Sequence, residues 1–129
     1  MDYMFEECYS LTSIDVSHFN TENAKYMHYM FSGCSNLTSI NLKNFIINKV
    51  INMDYMFNGC TSLTSIDIPN FNTENVKYMN NVFFQCSSLK YIDISSFNSL
   101  PSSGKILVKK EFFNKISVQI PLNWEKIYK

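Results

Sequence analysis

Twelve residues are written three times at a fixed distance. "YMFEECYSLTSI" starts at Tyr3, "YMFSGCSNLTSI" at Tyr29 and "YMFNGCTSLTSI" at Tyr55, each 26 residues after the last. The interval holds without insertion through a fourth copy. Cys8, Cys34, Cys60 and Cys86 recur on it, as do Phe5, Phe31, Phe57 and Phe83. Leu11, Leu37, Leu63 and Leu89 recur too, with Ile14, Ile40, Ile66 and Ile92, and with Phe19, Phe45, Phe71 and Phe97. Met27, Met53 and Met79 align, and Met1 falls on the same position. A unit this short cannot bury an apolar face alone, so it must stack on its neighbours. Equivalent residues then form ladders with a rung spacing of about 4.8 Å, and Phe, Leu, Ile and Cys become internal columns.

Each unit divides in two. "LTSIDV" (Leu11 to Val16) alternates, with Ile14 and Val16 pointing one way and Asp15 the other, which predicts a strand. "NTENAKYMHYMF" (Asn20 to Phe31) opens on Asn or Thr followed by Glu, a helix-start signal, and places Ala24, Met27, His28 and Phe31 at helical spacing. Gly33 and Gly59 follow as helix ends. Glu7 and Gln85 stand there in the outer copies, which predicts that a positive φ is not required. The second copy departs from the pattern: "NFIINKV" (Asn44 to Val50) replaces "NFNTENV". Asn48 is the expected cap of a shortened helix, and Ile46 and Ile47 an exposed apolar spot.

The signature YMF-x-G-C-x-S-L-T-S-I-D-[VI]-x-x-F-N-T-E-N-V-x-x-M resembles the BspA-like leucine-rich repeats. These are the 26-residue form common in bacterial surface lipoproteins and in surface proteins of some parasitic protists. The likeness covers residues 1–103, and length, cysteine, "FNT" and "YMF" agree together. It implies an α/β fold: a right-handed leucine-rich-repeat solenoid with a parallel β-sheet on one side and short helices on the other. It also implies extracellular binding or adhesion, placement on the cell surface or in the medium, and no catalysis.

Residues 104–129 differ in kind. They hold two acids and six lysines, against nine acids and five lysines in residues 1–103. "KILV" (Lys105 to Val108) reads as a strand. "KEFFNKISVQI" places Phe112, Phe113, Ile116 and Ile120 on one helical face, Pro121 stops it, and Trp124 precedes "EKIYK". The expectation is a strand-helix-strand C-terminal cap, similar to the segment that closes such arrays. At the other end Met1 enters in mid-unit. That points to a piece of a longer array or a truncated gene product. The alternative is a first coil with Met4, Phe5 and Leu11 at an edge that invites pairing with further repeats.

Net charge is zero, so nothing argues for nucleic acid. No run of about 18 apolar residues predicts a membrane span. Met1 is followed by acids where a signal peptide carries bases. Abundant Asn, Lys and Ile, with no Arg, read as the coding bias of an AT-rich genome.

Four single cysteines spaced 26 apart match no zinc-ligand pattern. Adjacent rungs lie within disulfide reach, but in-register side chains point the same way, so the expectation is buried thiols filling a niche. His18 and His28 occupy different positions in the unit. Tyr3, Tyr29 and Tyr55 are expected to pack the wall. No nucleophile–base set or phosphate loop is visible, and no cofactor, metal or enzyme activity is expected. Asn36-Leu37-Thr38 fits a glycosylation acceptor by chance.

The outward strand positions form the one extended candidate surface. Thr12, Thr38, Thr64 and Lys90 make one column, Ser13, Ser39, Ser65 and Tyr91 the next, and Asp15, Asn41, Asp67 and Asp93 a third. Small polar residues let a partner protein's surface lie flat, and Asn41 separates carboxylates that would otherwise repel. Calcium on the aspartate column is a weaker reading, because no Gly-Asp-rich turn wraps an ion. The functional expectation is a protein-binding or adhesion module. A structural spacer, a self-assembling repeat segment and a gene remnant are the alternatives.

Overall fold

A computed structural model describes residues 1–89 and the backbone of two short strands further on, at 105–107 and 125–127. Successive units lie on one another in register. Strand β1 (Ser39–Asn41) pairs parallel with β2 (Ser65–Asp67), placing Ser39 on Ser65, Ile40 on Ile66 and Asn41 on Asp67. The first unit joins through Thr38 N–H, which donates to Thr12 O at 3.3 Å. A second parallel ladder links Tyr26 to Asn52 and Asn52 to Tyr78. Strands β3 (Lys105–Leu107) and β4 (Glu125–Ile127) form a separate parallel pair. The fourth-copy positions from Lys90 onward, including Ile92 and Phe97, and the expected cap helix lie outside the described residues.

The described residues contain no helix, which corrects the expectation for residues 20–31. The reason lies in where the N–H groups go. Met27, Tyr29, Phe31 and Gly33 donate to Asn52, Asp54, Met56 and Asn58 of the next unit, at 2.7–3.0 Å. The alternate residues Met30, Ser32 and Cys34 close turns onto the carbonyl three residues back, at 3.0–3.4 Å. A helix would keep all of these bonds inside the segment. Here half tie coil to coil, and a stair of turns brings Met27, Met30, Phe31, Cys34 and Leu37 inward at intervals of three or four. That spacing imitates a helical face. Asn20 does not cap a helix either: its Oδ1 accepts from Glu22 N at 3.1 Å in a local turn.

The stair needs left-handed backbone at two positions per unit. Gly33 and Gly59 have φ of 75° and 73°, and Glu7 and Gln85, at the same position, have 56° and 60°. The positive φ is therefore kept where glycine is absent, contrary to the sequence expectation. The second position is Tyr3, Tyr29, Tyr55 and Asn81, with φ between 54° and 58°. A non-glycine residue there costs roughly 1–2 kcal/mol. The tyrosine rings stack at 5.1 and 4.8 Å, a contact worth about 0.5–1.5 kcal/mol beyond burial, which offsets much of that cost.

Inside the coils run continuous columns. Phe31, Phe57, Cys34, Cys60, Leu37 and Leu63 are fully buried. The phenylalanine rings Phe5, Phe31, Phe57 and Phe83 stack at 5.3, 5.3 and 5.8 Å. Ile47 is also fully buried, in the column of Thr21 and Thr73, so only Ile46 of the expected apolar spot is exposed. Thr21 compensates for the altered second unit: its Oγ1 accepts from Ile46 N at 2.8 Å and donates to Ile46 O at 3.1 Å. Asn48 caps no helix; its carbonyl accepts from Asn75 Nδ2 at 2.8 Å.

Asparagines latch the turns between coils. Asn36, Asn44 and Asn70 donate through Nδ2 to the carbonyls of Tyr9, Ser17 and Lys43 at 2.6, 3.2 and 3.0 Å. Their abundance thus has a structural use that a reading as coding bias misses.

Candidate functional site

The strand face is built from the alternation of β1 and β2, whose central isoleucines point inward while both flanking residues face solvent. Ser13, Ser39 and Ser65 are exposed, as are Asp15, Asn41 and Asp67. Thr12 and Thr38 are exposed and Thr64 is half-buried. The structure therefore places nine of the twelve expected residues on one strip. Lys90, Tyr91 and Asp93 lie outside the described residues.

Parts of this strip are held rigid. Thr64 Oγ1 donates to Thr38 O at 3.0 Å, the same carbonyl that receives Thr64 N–H at 2.9 Å. Thr38 Oγ1 donates likewise to Thr12 O at 3.4 Å. These hydroxyl hydrogens are committed to the scaffold. At the strand ends Asp15 and Asn41 accept through Oδ1 from the N–H two residues on, Ser17 at 2.9 Å and Lys43 at 3.0 Å. Ser17, first through its side chain and then its backbone, holds the Asp15 carboxyl below the ordinary value, so the strip keeps its negative charge. The residue two beyond Asp67 is Pro69, which has no N–H to offer in the same way.

Among the described residues, no structural column carries two like charges on adjacent coils. Asp15 and Asp67 flank Asn41, Glu22 and Glu74 flank Asn48, and Lys25 and Lys77 flank Ile51. Like charges directly opposite on neighbouring strands repel, so the skipping stabilises the stack. One column alternates in sign chemistry instead, as Asp2, His28 and Asp54. His28 Nδ1 lies 3.2 Å from Asp2 Oδ1, and the ring meets Tyr3 and Tyr26 edge-on at 4.9 and 6.4 Å.

The flank beyond the strand face carries Lys25 and Lys77, with exposed rings at Tyr26 and Tyr78. A shallow hollow there is lined by Met1, Asn20, Asn23, Ala24, Lys25 and Tyr26. Sequence reasoning passed over this flank. The 26-residue interval between Lys25-Tyr26 and Lys77-Tyr78 was the available signal.

The cysteines form a column of free thiols. Each buried Sγ donates to a phenylalanine carbonyl of the preceding coil: Cys34 to Phe5, Cys60 to Phe31 and Cys86 to Phe57, all at 3.1 Å. Burial pushes the Cys34 thiol up to about 11 and Cys86 to about 12, and raises Cys60 strongly. Such thiols are poor nucleophiles. A thiol-reactive dye at neutral pH is expected to label Cys8, which is only partly buried, well before the other three. Equal labelling of all four in the folded chain would contradict the buried column. The folded-state values lie above those of an unfolded thiol, near 9.0. The associated stability is therefore complete below that value and is lost as pH rises toward the folded values.

No group of three or more His, Cys, Asp or Glu among the described residues could hold a metal ion. No helix among them is long and apolar enough to cross a membrane. The sequence matches a protein family described as "Mycoplasma protein of unknown function, DUF285" over residues 1–118. No curated protein and no solved structure matches.

Proposed function

Since the chain belongs to this family of Mycoplasma proteins of unknown function, we propose that it is a non-catalytic protein-binding or adhesion module of a cell-surface or secreted protein. Its units are those of a BspA-like, right-handed leucine-rich-repeat solenoid, and residues 104–129 close the array. The observation that carries the reading is the strip of small exposed polar residues on strands paired in register, Ser39 on Ser65 and Asn41 on Asp67. Solenoids use such regular surfaces to receive partners. Thr38, Thr64, Asp15 and Asn41 on the strip are already hydrogen-bonded to the scaffold, so little of their side-chain entropy is lost when a partner lies on it. Fold alone does not assign a function, so the strip itself must be tested.

Replacing Ser39 and Ser65 with arginine puts two long side chains on the strip and leaves the inward isoleucines alone. The variant S39R/S65R sets two like charges opposite each other, so it is expected to melt somewhat below the parent while staying folded, and to bind animal extracellular-matrix protein at least about tenfold more weakly. Equal binding by a folded variant would sink the strand face as the site.

A second reading is a structural, self-assembling segment. Met4 is 47% exposed where Met30 and Met56 are fully buried, so the first coil has apolar surface that another coil would cover. Light scattering that shows a monomer at every concentration would remove this alternative.

A further inference from the structure

Two stripes on the surface share one interval. Asp15 and Asp67 stand exposed on the strand face with neutral Asn41 between them. Lys25 and Lys77 stand exposed on the neighbouring flank with Ile51 between them. In each stripe the charges are two coils apart, roughly 10 Å. Beside the lysines are large rings, Tyr26 at 47% and Tyr78 at 52% exposure. Two residues before each aspartate is an exposed serine, Ser13 or Ser65.

Chain direction makes these stripes fit each other. Two copies with parallel stack axes wind in the same sense, so their chains run oppositely where their flanks touch. Moving back from Asp15 toward Ser13 on one copy then runs the same way as moving forward from Lys25 to Tyr26 on the other, so the Tyr26 ring falls between Asp15 and Ser13. Carboxylate meets ammonium, and small residue meets large ring. On the same correspondence Glu22 falls beside His18 rather than beside a carboxylate. In the middle coil the same correspondence sets Lys43 opposite Lys49, an exposed repulsion that the two Asp–Lys pairs must outweigh.

We propose that the occupant of the strand face is a second copy of this chain, docked side by side with coils level. Lys25 and Lys77 of one copy meet Asp15 and Asp67 of the other, and the tyrosines lie over the serine column. The inference rests on the reading of the strand face as a protein-binding surface and names its partner. The two patches differ, so the contact is heterologous and does not close at a dimer. Exposed ion pairs are individually weak and salt-sensitive, so association is expected at low salt and high local concentration.

The test is sedimentation velocity over a concentration series at low and high salt. The parent is expected to grow in mass with concentration at low salt and to stay monomeric at high salt. K25E/K77E is expected to weaken association by at least about tenfold, and so is D15K/D67K. Their equimolar mixture is expected to associate again, because each variant then presents the charge the other lacks. D67K alone serves if loss of the Asp15 turn unfolds the double variant. A parent that is monomeric at low salt overturns the inference. So does undiminished association of K25E/K77E, or growth that ignores salt, which marks stacking of coil ends instead. S39R/S65R separates the two claims. If matrix binding is lost while the parent never self-associates, the surface reading stands and the second copy is excluded. If neither property depends on those serines, the surface reading fails as well.

Discussion

Phe57→Ala is expected to destabilise the protein by about 3–5 kcal/mol, a large part of what holds a domain of this size together. Phe57 is fully buried and stacks on Phe31 at 5.3 Å and on Phe83 at 5.8 Å. The cavity left by the ring cannot close, because the backbone around it is pinned to the coils on either side. Phe57 N–H donates to Val82 O at 2.9 Å, and Gly33 N–H to Asn58 O at 2.7 Å. Phe57 O receives both Cys60 N–H at 3.2 Å and the Cys86 thiol at 3.1 Å. The same change at Phe5 is expected to cost about half as much, since Phe5 is only partly buried and has a column neighbour on one side. Urea unfolding of the two variants reads the difference. Equal losses would mean that the phenylalanine column does not run as described.

The second large effect concerns the interval itself. Excising residues 34–59 joins Gly33 to Cys60 and removes one whole unit while leaving every column intact. That chain is expected to fold cooperatively, with a smaller dependence on denaturant in proportion to its lost surface. Leaving one residue of the block behind is expected to abolish cooperative melting. A one-residue slip moves the inward isoleucines of the strands to the solvent face and their polar neighbours to the core. It also places Phe84 at the left-handed position held by Gln85, where φ is positive in every described unit. Circular dichroism melts of the two excisions separate the outcomes. If both chains melt alike, stacking in register is not what stabilises the fold.

Much of this architecture could be read from spacing. Period-2 alternation in "LTSIDV" identified the inward isoleucines, and the 26-residue interval placed residues on neighbouring rungs, as Ser39 on Ser65 shows. The turn stair was not legible for a physical reason. A helix and a stair of turns both bring apolar residues inward every three or four positions. They differ in the destination of their N–H groups, and Tyr29 and Phe31 send theirs to another coil. Composition carries no trace of that choice. The left-handed tyrosines were hidden likewise, because tyrosine is an unfavourable residue at positive φ and only its stacking on the next rung makes the conformation tolerable.

The candidate site divides in the same way. In the exposed strip, Ser13, Asp15 and their equivalents follow from alternation, whereas Thr12 and Thr38 stand on the inward phase and are exposed where the strand begins. The Lys25–Tyr26 flank is not legible from a helical reading of residues 20–31, because a helix turns Lys25 and its neighbour Tyr26 about 100° apart around its axis. On a coil they line up with Lys77 and Tyr78. Asparagine was misjudged for a related reason: its use here is to donate to a carbonyl 27 residues earlier, as Asn44 does to Ser17, and a local reading does not see that partner.

The most direct test is a nuclear Overhauser spectrum of the chain with labelled methyl groups. Stacking in register predicts cross-peaks between Leu37 and Leu63, Ile40 and Ile66, and Met30 and Met56, and amide contacts from Phe31 to Met56 across coils. A helix over residues 20–31 would instead give a run of contacts between residues three and four apart, with the cross-coil peaks missing. That pattern would contradict the stacked coil on which the strand face, the buried thiols and the paired stripes all depend.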